Sequence, residues 1–366
     1  MAFILFITAI LIVVAYNNKQ KEKQQLDPSL CTILSEEYIE DEENEQSIVL
    51  KNPKFNTSLI QSYQGCETSV NFEFRPQTWK QFIGQSEAKS RVSTLKKKID
   101  KGMKSHLFID GIRGHGKTSF IKLFAKDIDA KLIEKVGNQI DLESLVDIIN
   151  EINNSKKKNV ILFIDEMDSM DSKIIKVLNP IIESFEIDKK KIKPFIFAGA
   201  TINKHELIKN NPDTLDRIPT HIKFKRYNHK EISIILKQYQ EQLYTDTPVS
   251  DEVIKVIAEN CKFNPRTSIG LLEDYIVENN INKVLKDCRI VIEGLNAVDI
   301  QILTTLYNAP KPMGANALTL KVGLSPKEYS REYEPFLYEY NYLSRIPSRV
   351  ITEKGKELLH QLQEKK

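Results

Sequence analysis

One stretch decides the fold: Gly111-Ile112-Arg113-Gly114-His115-Gly116-Lys117-Thr118, which fits the pattern G-x-x-x-x-G-K-[ST] in full. It follows a short apolar run, Leu107–Asp110, that predicts a buried strand, and it precedes a helical pattern at Phe120–Ile128. In this setting, loop N–H groups and the N-terminus of the following helix surround phosphate groups. The stretch therefore predicts a phosphate-binding loop in an α/β fold.

The residue types of the loop define separate tasks. Lys117 is placed to reach the β- and γ-phosphates, and the Thr118 hydroxyl is placed to hold Mg²⁺. The other nucleotide contacts of the loop are expected from Gly111, Gly114, Gly116 and Ser119.

A second apolar run, Val160–Asp165, ends in two carboxylates, Asp165 and Glu166. Such a run is typical of a central parallel strand that is buried on both faces. Carboxylates at the C-terminal end of a parallel strand face the ligand crevice, so Asp165 is expected at the Mg²⁺ ion and Glu166 at the attacking water. The alternative is a surface acidic pair after a core strand. The two motifs in this order predict a protein that binds and hydrolyses ATP.

Composition sets the class of protein. The 366 residues exceed one typical domain, and 41% hydrophobic residues with 13 glycines and 14 prolines indicate a globular chain. The net charge of +3 is uneven, because residues 17–71 carry five Lys/Arg against ten Asp/Glu and the remainder carries +8. This basic excess is compatible with nucleic acid. The four cysteines are far apart and indicate neither a zinc site nor a disulfide framework.

The N-terminal residues 1–18 contain no charged side chain and are followed by Lys19, Lys21 and Lys23. A 16-residue helix spans about 24 Å, a little under the ~30 Å hydrocarbon core. The pattern predicts a transmembrane anchor with the remainder of the chain in the cytoplasm. A signal peptide or a mistranslated leader is the alternative, and in the latter case the protein is expected to be cytoplasmic. Residues 19–71 are predicted to be a flexible acidic linker.

The rest of the chain divides by pattern. Strands alternating with helices in residues 72–226 predict a parallel-sheet ATPase domain, and residues 227–292 predict a helical lid. Residues 293–366 predict a winged helix. Its predicted elements are helices at Asp299–Tyr307, Ala317–Val322 and Lys327–Tyr340, and strands at Leu343–Arg349 and Arg349–Thr352.

The order of the motifs resembles the RuvB family of AAA+ motors, which drive Holliday-junction branch migration. The resemblance covers about residues 72–359 and rests on Arg75-Pro76, Phe82-Ile83-Gly84-Gln85, the phosphate loop, Phe163-Ile164-Asp165-Glu166, Gly199-Ala200-Thr201, Asp216-Arg217, Pro265-Arg266 and the tail from Tyr333 to Thr352. It implies a helicase-type ATP hydrolase of DNA recombination and repair, working with Mg²⁺ as a ring, expected to be a hexamer, on four-way junction or duplex DNA.

The resemblance also implies roles for single residues. Arg217 falls at the arginine finger, which reaches a neighbouring subunit's γ-phosphate; a salt-bridged surface arginine is the alternative. Arg266 matches the second sensor, with a helix-capping arginine as the alternative. Ile83 and Gly84 would contact adenine through backbone and packing. Thr201 is counted with the catalytic residues, as a substitute for the family's first sensor.

Two departures from the family pattern stand out. Ile202 replaces a sensor threonine, so either Thr201 or Asn203 takes that role with a shifted register, or hydrolysis is expected to be slow. The segment 185–194 is much shorter than the hairpin on which the family docks its partner RuvA, which makes a RuvA-like partner doubtful.

The tail carries cations at a predicted hairpin tip. Arg345 and Arg349 flank a Pro-Ser turn and are predicted to contact DNA phosphates without reading sequence. A protein-binding winged helix is the alternative. The leading interpretation is thus a DNA motor. The alternatives are a membrane-tethered ATP switch that recruits or remodels a partner, and a clamp-loader-like assembly factor.

Overall fold

The computed structural model describes residues 74–187, 189–345 and 348–364. The predicted anchor at 1–18 and the predicted linker at 19–71 lie outside these residues and stay predictions. Within the described part of the chain, no helix is both long and apolar enough to cross a membrane.

The first part of the described chain alternates strands and helices, as the sequence predicts. Its elements are α1 (Ser86–Asp100), β1 (Leu107–Asp110), α2 (Lys117–Asp127), β2 (Ala130–Val136), α3 (Leu142–Asn153), β3 (Asn159–Asp165), α4 (Ser172–Ser184), β4 (Glu186–Ile187), β5 (Lys190–Lys191), β6 (Ile196–Thr201), α5 (Lys204–Asn210) and β7 (Thr220–Lys223). Short 3₁₀ helices lie at Gly137–Gln139, Met167–Ser169 and Pro212–Arg217.

Five strands form one parallel sheet in the order β2-β3-β6-β1-β7. The apolar run of β3 is buried, and separate apolar clusters cover the two faces of the sheet. The register pairs Asp110 with Thr201 and with Lys223, so the C-terminal ends of β1, β6 and β7 lie at one edge. The sequence did not predict β7, because its four residues alternate buried and exposed and carry no apolar run.

A short antiparallel hairpin joins β4 to β5, with Glu186 paired to Lys191. Phe185 and Ile187 pack against the core, whereas Lys190 and Lys191 are exposed. Two-residue strands agree with the expectation of a short segment at this point. That the hairpin is too short to dock a RuvA-like partner stays a prediction.

Four helices follow the sheet: α6 (His229–Leu243), α7 (Asp251–Glu259), α8 (Pro265–Glu278) and α9 (Ile281–Asp287). Each begins at a polar side chain that accepts a hydrogen bond from the first turn, namely Asn228, Ser250, Asn264 and Asn280. The predicted apolar faces form their core, with Ile232, Leu236 and Ile257 fully buried.

The C-terminal part has its own apolar core and a winged-helix order of elements. Its elements are β8 (Ile290–Ile292), β9 (Leu295–Asn296), α10 (Ala297–Tyr307), α11 (Ala315–Val322), α12 (Pro326–Glu328), a π-helical turn at Tyr329–Tyr333, α13 (Glu334–Glu339), β10 (Leu343–Ser344), β11 (Val350–Ile351) and α14 (Glu353–Glu364). The sequence predicted neither α14 nor the β8–β9 pair.

The single helix predicted at Lys327–Tyr340 is wrong in detail. The structure divides it into α12, the π-helical turn and α13, with Pro335 in the first turn of α13. Proline has no N–H to donate and its ring crowds the preceding turn, so the hydrogen-bond register changes there. The two predicted strands shorten to β10 and β11, which pair Leu343 with Ile351.

Candidate nucleotide site

A cavity of about 730 Å³ lies between the phosphate loop and the helical part. From the loop and sheet it is lined by Arg113, Gly114, Gly116, Lys117, Thr118, Ser119, Asp165 and Glu166, and from the rest of the chain by Phe74, Arg75, Ile83, Ile202, Tyr227, Ile235, Arg266 and Ile269. The two predicted motifs therefore meet in one place, with apolar side chains at the far end that suit a planar base.

The loop takes its shape from glycines at two positions. Gly116 precedes α2 with φ 89°, and Gly114 has φ 82°, in the left-handed region that favours glycine. A Cβ atom on Gly114 would lie 2.5 Å from the Asn264 side-chain oxygen, because the loop packs against the start of α8. Gly111 and Gly84 lie outside the lining residues. Gly111 packs against Phe224 and Gly84 against Glu231 and Tyr227.

Lys117 is buried at the first position of α2. Its Nζ donates hydrogen bonds to the carbonyl oxygens of Gly111 at 2.6 Å and Ile112 at 3.2 Å. Burial lowers the pKa of Lys117, while the nearby carboxylates of Asp165 and Asp110 oppose this shift. The ammonium is thus held at the loop, where phosphate oxygens can replace the two carbonyls as acceptors.

Thr118 and Asp165 form the predicted metal pair. The Thr118 hydroxyl donates to Asp165 Oδ2 at 3.1 Å, and Asp165 Oδ1 accepts the Glu166 N–H at 2.8 Å. In the described residues, no three His, Cys, Asp or Glu side chains cluster to hold a metal ion by themselves. This donor set fits Mg²⁺, which binds through one or two carboxylates and keeps water and phosphate ligands.

Glu166 follows β3 in a left-handed backbone conformation, with φ 50° and ψ 45°. For a residue with a Cβ this conformation is strained, and such strain concentrates at functional sites. The Glu166 carboxylate accepts a hydrogen bond from the Arg113 guanidinium, and this carboxylate raises the pKa of Arg113. Arg113 of the loop therefore holds the carboxylate of Glu166, the residue predicted to polarise the attacking water, by a contact that the motif does not specify.

Thr201 lies at the end of β6 and is not among the residues that line the cavity. Its buried hydroxyl donates to Asp168 Oδ1 and accepts the Asn203 N–H at 3.0 Å. Asn203 caps α5 by accepting the Glu206 N–H at 3.2 Å, and Ile202 is the residue of this segment that lines the cavity. Neither Thr201 nor Asn203 lines the cavity, and a sensor role for either residue stays a prediction.

The two arginines of the resemblance differ in position. Arg266 lies in the first turn of α8 and lines the cavity, where the Asn264 side chain also donates to the Arg113 carbonyl at 3.0 Å. Arg217 ends a 3₁₀ helix outside the cavity lining; its side chain contacts Glu183 Oε2 at 3.0 Å and the Asp213 carbonyl at 2.6 Å. Arg217 therefore does not line the cavity of its own chain, and its role as an arginine finger stays a prediction.

The two tail arginines also differ. The Arg349 guanidinium pairs with the buried Glu334 carboxylate at 2.7 Å, and the Arg349 backbone pairs with Met313. The ion pair engages Arg349 Nε within the winged helix, and the DNA contact of Arg349 stays a prediction. Arg345 is exposed and lies over the Tyr338 ring at 4.1 Å, with residues 346–347 of the turn outside the described part.

Several residues of the site were missed from the sequence. Arg113 occupies a position of the loop motif that any residue can fill, and Asp168 lies beyond the acidic pair. Tyr227 lines the cavity and donates its hydroxyl to the His115 carbonyl at 3.1 Å. The sequence offered no signal for these contacts, because they depend on which chain segments pack together.

The sheet order, the phosphate loop, the acidic strand end and the helical lid define the class as an AAA+ P-loop ATPase, here with a winged helix at its C-terminus. Residues 74–207 match the family model of the Holliday junction DNA helicase RuvB P-loop domain, and residues 292–360 match the RuvB C-terminal winged helix domain. Together the two matches span more than half of the chain. The chain therefore belongs to the RuvB family.

Similar proteins include subunits named RuvB of the Holliday junction branch migration complex. The one from Mycoplasma genitalium is 27% identical over 78% of this chain and 97% of its own length. The one from Helicobacter pylori is 29% identical over 80% of this chain and 93% of its own length. The solved Thermotoga maritima RuvB Holliday junction branch migration motor is 27% identical, with a TM-score of 0.67 over 78% of this chain and 98% of that chain.

Proposed function

We propose that this protein is an ATP-dependent DNA motor of the RuvB type, which assembles as a hexameric ring and acts on four-way junction DNA in recombination and repair. The observation that carries the proposal is the Thr118–Asp165 hydrogen bond beside Glu166, in a cavity closed by Arg266 of α8. Residues 72–226, 227–292 and 293–366 are proposed as its ATPase, lid and DNA-binding units.

Each site residue would have a separate role in ATP hydrolysis. Thr118 and Asp165 would hold Mg²⁺, which would supply positive charge to offset that of the phosphates. Lys117 exchanges its two carbonyl acceptors for phosphate oxygens. Glu166 polarises the attacking water, and this requires that its carboxylate leave Arg113.

The positions of the two arginines support a ring. Arg266 reaches the cavity of its own subunit, whereas Arg217 lies outside that cavity and is held by Glu183 at the surface. We propose that Arg217 stabilises phosphoryl transfer in the neighbouring subunit, as an arginine finger supplied in trans.

The test of the motor is the ATPase rate of the full chain without DNA, with linear duplex and with a four-way junction. The motor predicts stimulation by DNA, strongest with the junction, together with ATP-dependent migration of a labelled junction. A membrane-tethered switch predicts ATP binding with a rate indifferent to all three conditions. That second result would reject the motor.

Mixed subunits test the ring. Arg217→Ala and Lys117→Ala proteins should each be inactive, but their mixture should regain part of the ATPase rate, because a site intact in one subunit meets a finger intact in the other. A mixture of Lys117→Ala with Glu166→Gln is the matched control, since every site in it carries a defect. Equal inactivity of both mixtures would contradict action in trans.

A further inference from the structure

The π-helical turn of the winged helix contacts the ATPase part close to the catalytic edge of the sheet. Arg331, in the middle of this turn, places Nη2 3.0 Å from Glu206 Oε2 and 3.8 Å from Asp168 Oδ2. The Asp168 side chain is only 4% exposed. A cation from the C-terminal part thus faces a buried carboxylate of the ATPase part.

Asp168 is joined to the end of the central strand β6. Its Oδ1 atom accepts the Thr201 hydroxyl, and Thr201 in turn accepts the Asn203 N–H. The Asn203 amide donates to Glu206 Oε2 at 2.9 Å, the same oxygen that Arg331 contacts. Arg331 therefore closes a network of hydrogen bonds and charges around the last residue of β6.

The same network is joined to Glu166, the residue predicted to polarise the attacking water. Asp168 lies in the 3₁₀ turn Met167–Ser169, directly after Glu166. The Glu166 carbonyl accepts both the Ser169 N–H at 2.8 Å and the Ser169 hydroxyl at 2.7 Å. Because the turn is short and closed on Glu166, a displacement of Asp168 changes the backbone that orients the Glu166 carboxylate.

Arg331 matters because it compensates the charge of the buried Asp168 carboxylate. A buried carboxylate that loses its cation keeps its desolvation cost, and the surrounding structure shifts to recover solvent or another partner. π-helical turns are rare and occur often at functional sites, which suits the place of Arg331 in this chain.

We infer that Arg331 is a positioning residue: through Asp168 it sets the orientation of Glu166, and it makes the hydrolysis rate depend on how the winged helix is docked. The inference rests on the proposed function. DNA that moves the winged helix would alter the Arg331 contacts and thereby the hydrolysis rate. Arg331 does not line the nucleotide cavity, and its effect would pass through Asp168 and the end of β6.

The test uses Arg331→Ala and Arg331→Lys in the full chain. Arg331→Ala should lower kcat about tenfold, within the range of network residues that touch no ligand, and should lose the dependence on junction DNA. The affinity for a non-hydrolysable ATP analogue should stay within about twofold, because Arg331 is absent from the cavity lining. Arg331→Lys keeps a cation at Asp168 and should restore most of kcat.

Glu339→Gln is the matched control. It removes another ion pair between the two parts, Arg226–Glu339 at 2.6 Å, which contacts neither Asp168 nor Glu206. It should leave kcat and its stimulation by DNA unchanged. A double-mutant cycle of Arg331→Ala with Asp168→Asn should be strongly non-additive, since each change removes the same contact.

The outcomes separate the two proposals. A wild-type protein whose ATPase rate ignores DNA overturns the motor itself. A DNA-stimulated wild type with an unchanged Arg331→Ala variant overturns the inference alone. A loss of kcat that is matched by an equal loss of analogue affinity, or by additive behaviour in the cycle, means that Arg331 only supports the fold and also overturns it.

Discussion

The nucleotide crevice and the C-terminal hairpin both carry charged residues that stand out in the sequence, and the structure uses them differently. In the crevice, Lys117, Thr118, Asp165 and Glu166 converge as their spacing predicts. In the hairpin, Arg349 turns inward to the Glu334 carboxylate while Arg345 stays exposed. Motif residues are positioned by the backbone that the motif itself dictates, whereas the partners of hairpin cations are decided by distant chain segments.

The largest expected effect is in the crevice. Glu166→Gln keeps the shape of the side chain but removes the carboxylate that polarises water, so hydrolysis should fall by about 10²–10³-fold. ATP affinity should be retained. Single-turnover hydrolysis and analogue binding measure the two quantities, and wild-type hydrolysis by this variant would contradict the assignment of Glu166.

Lys117→Ala should weaken ATP binding by roughly a hundredfold, because a buried charged donor to phosphate is lost. The fold should persist, since Lys117 donates only to loop carbonyls. Lys122→Ala on the same helix is the control, as its ammonium pairs with Glu134 outside the cavity. Equal affinities of the two variants, measured by titration calorimetry, would remove Lys117 from the site.

Arg349→Ala should destabilise the protein by about 3 kcal/mol, because the buried Glu334 carboxylate would lose its cation. Arg349→Ala combined with Glu334→Gln should recover part of this loss. Denaturant unfolding measures both. If Arg349→Ala unfolds like the wild type but binds DNA more weakly, the sequence-based role of Arg349 is right and its structural role is wrong.

His115, in the phosphate loop, makes the free energy of unfolding depend on pH. Burial lowers the pKa of His115 to about 4, while an unfolded histidine titrates near 6.5. Between these values the unfolded chain binds more protons, so stability is complete above pH 6.5 and is lost as the pH falls toward 4, by up to about 1.4 kcal/mol per pH unit. His106, whose pKa burial also lowers to about 4, adds to the same window.

Replacing His115 by Leu should flatten the pH dependence of the free energy of unfolding between pH 4 and 6.5. An unchanged slope in His115→Leu would mean that His115 takes up protons in the folded protein as readily as in the unfolded chain.

The smallest effect is expected at the hairpin tip. Arg345→Ala should weaken DNA binding by less than tenfold and reduce the log–log salt slope by about 0.9, as for one lost phosphate contact. Stability should be little affected, because Arg345 is exposed and, among the described residues, contacts the exposed Tyr338 ring. A salt titration that overlays the wild type would show that the hairpin does not contact DNA.

The sequence by itself determined the sheet, the crevice and most of the helices. β1 and β3 are short apolar runs with motifs at their ends, and these features act within a few residues of one another. Hydrophobic periodicity likewise predicted α6 and α7. Sequence reasoning missed β7, which carries no apolar run. It also missed α14, although Leu358 and Leu359 of this helix are buried in the winged-helix core.

Only the tertiary structure decided which partners the charged groups have. Thr201 with Asp168, Arg113 with Glu166, Arg331 with Glu206 and Arg349 with Glu334 join residues 15 to 125 positions apart. No local pattern encodes such pairs, because the counter-ion of a charged side chain depends on which distant segments pack against it. Local backbone preferences fixed where the nucleotide motifs lie, and long-range packing fixed which of the remaining cations could serve a ligand.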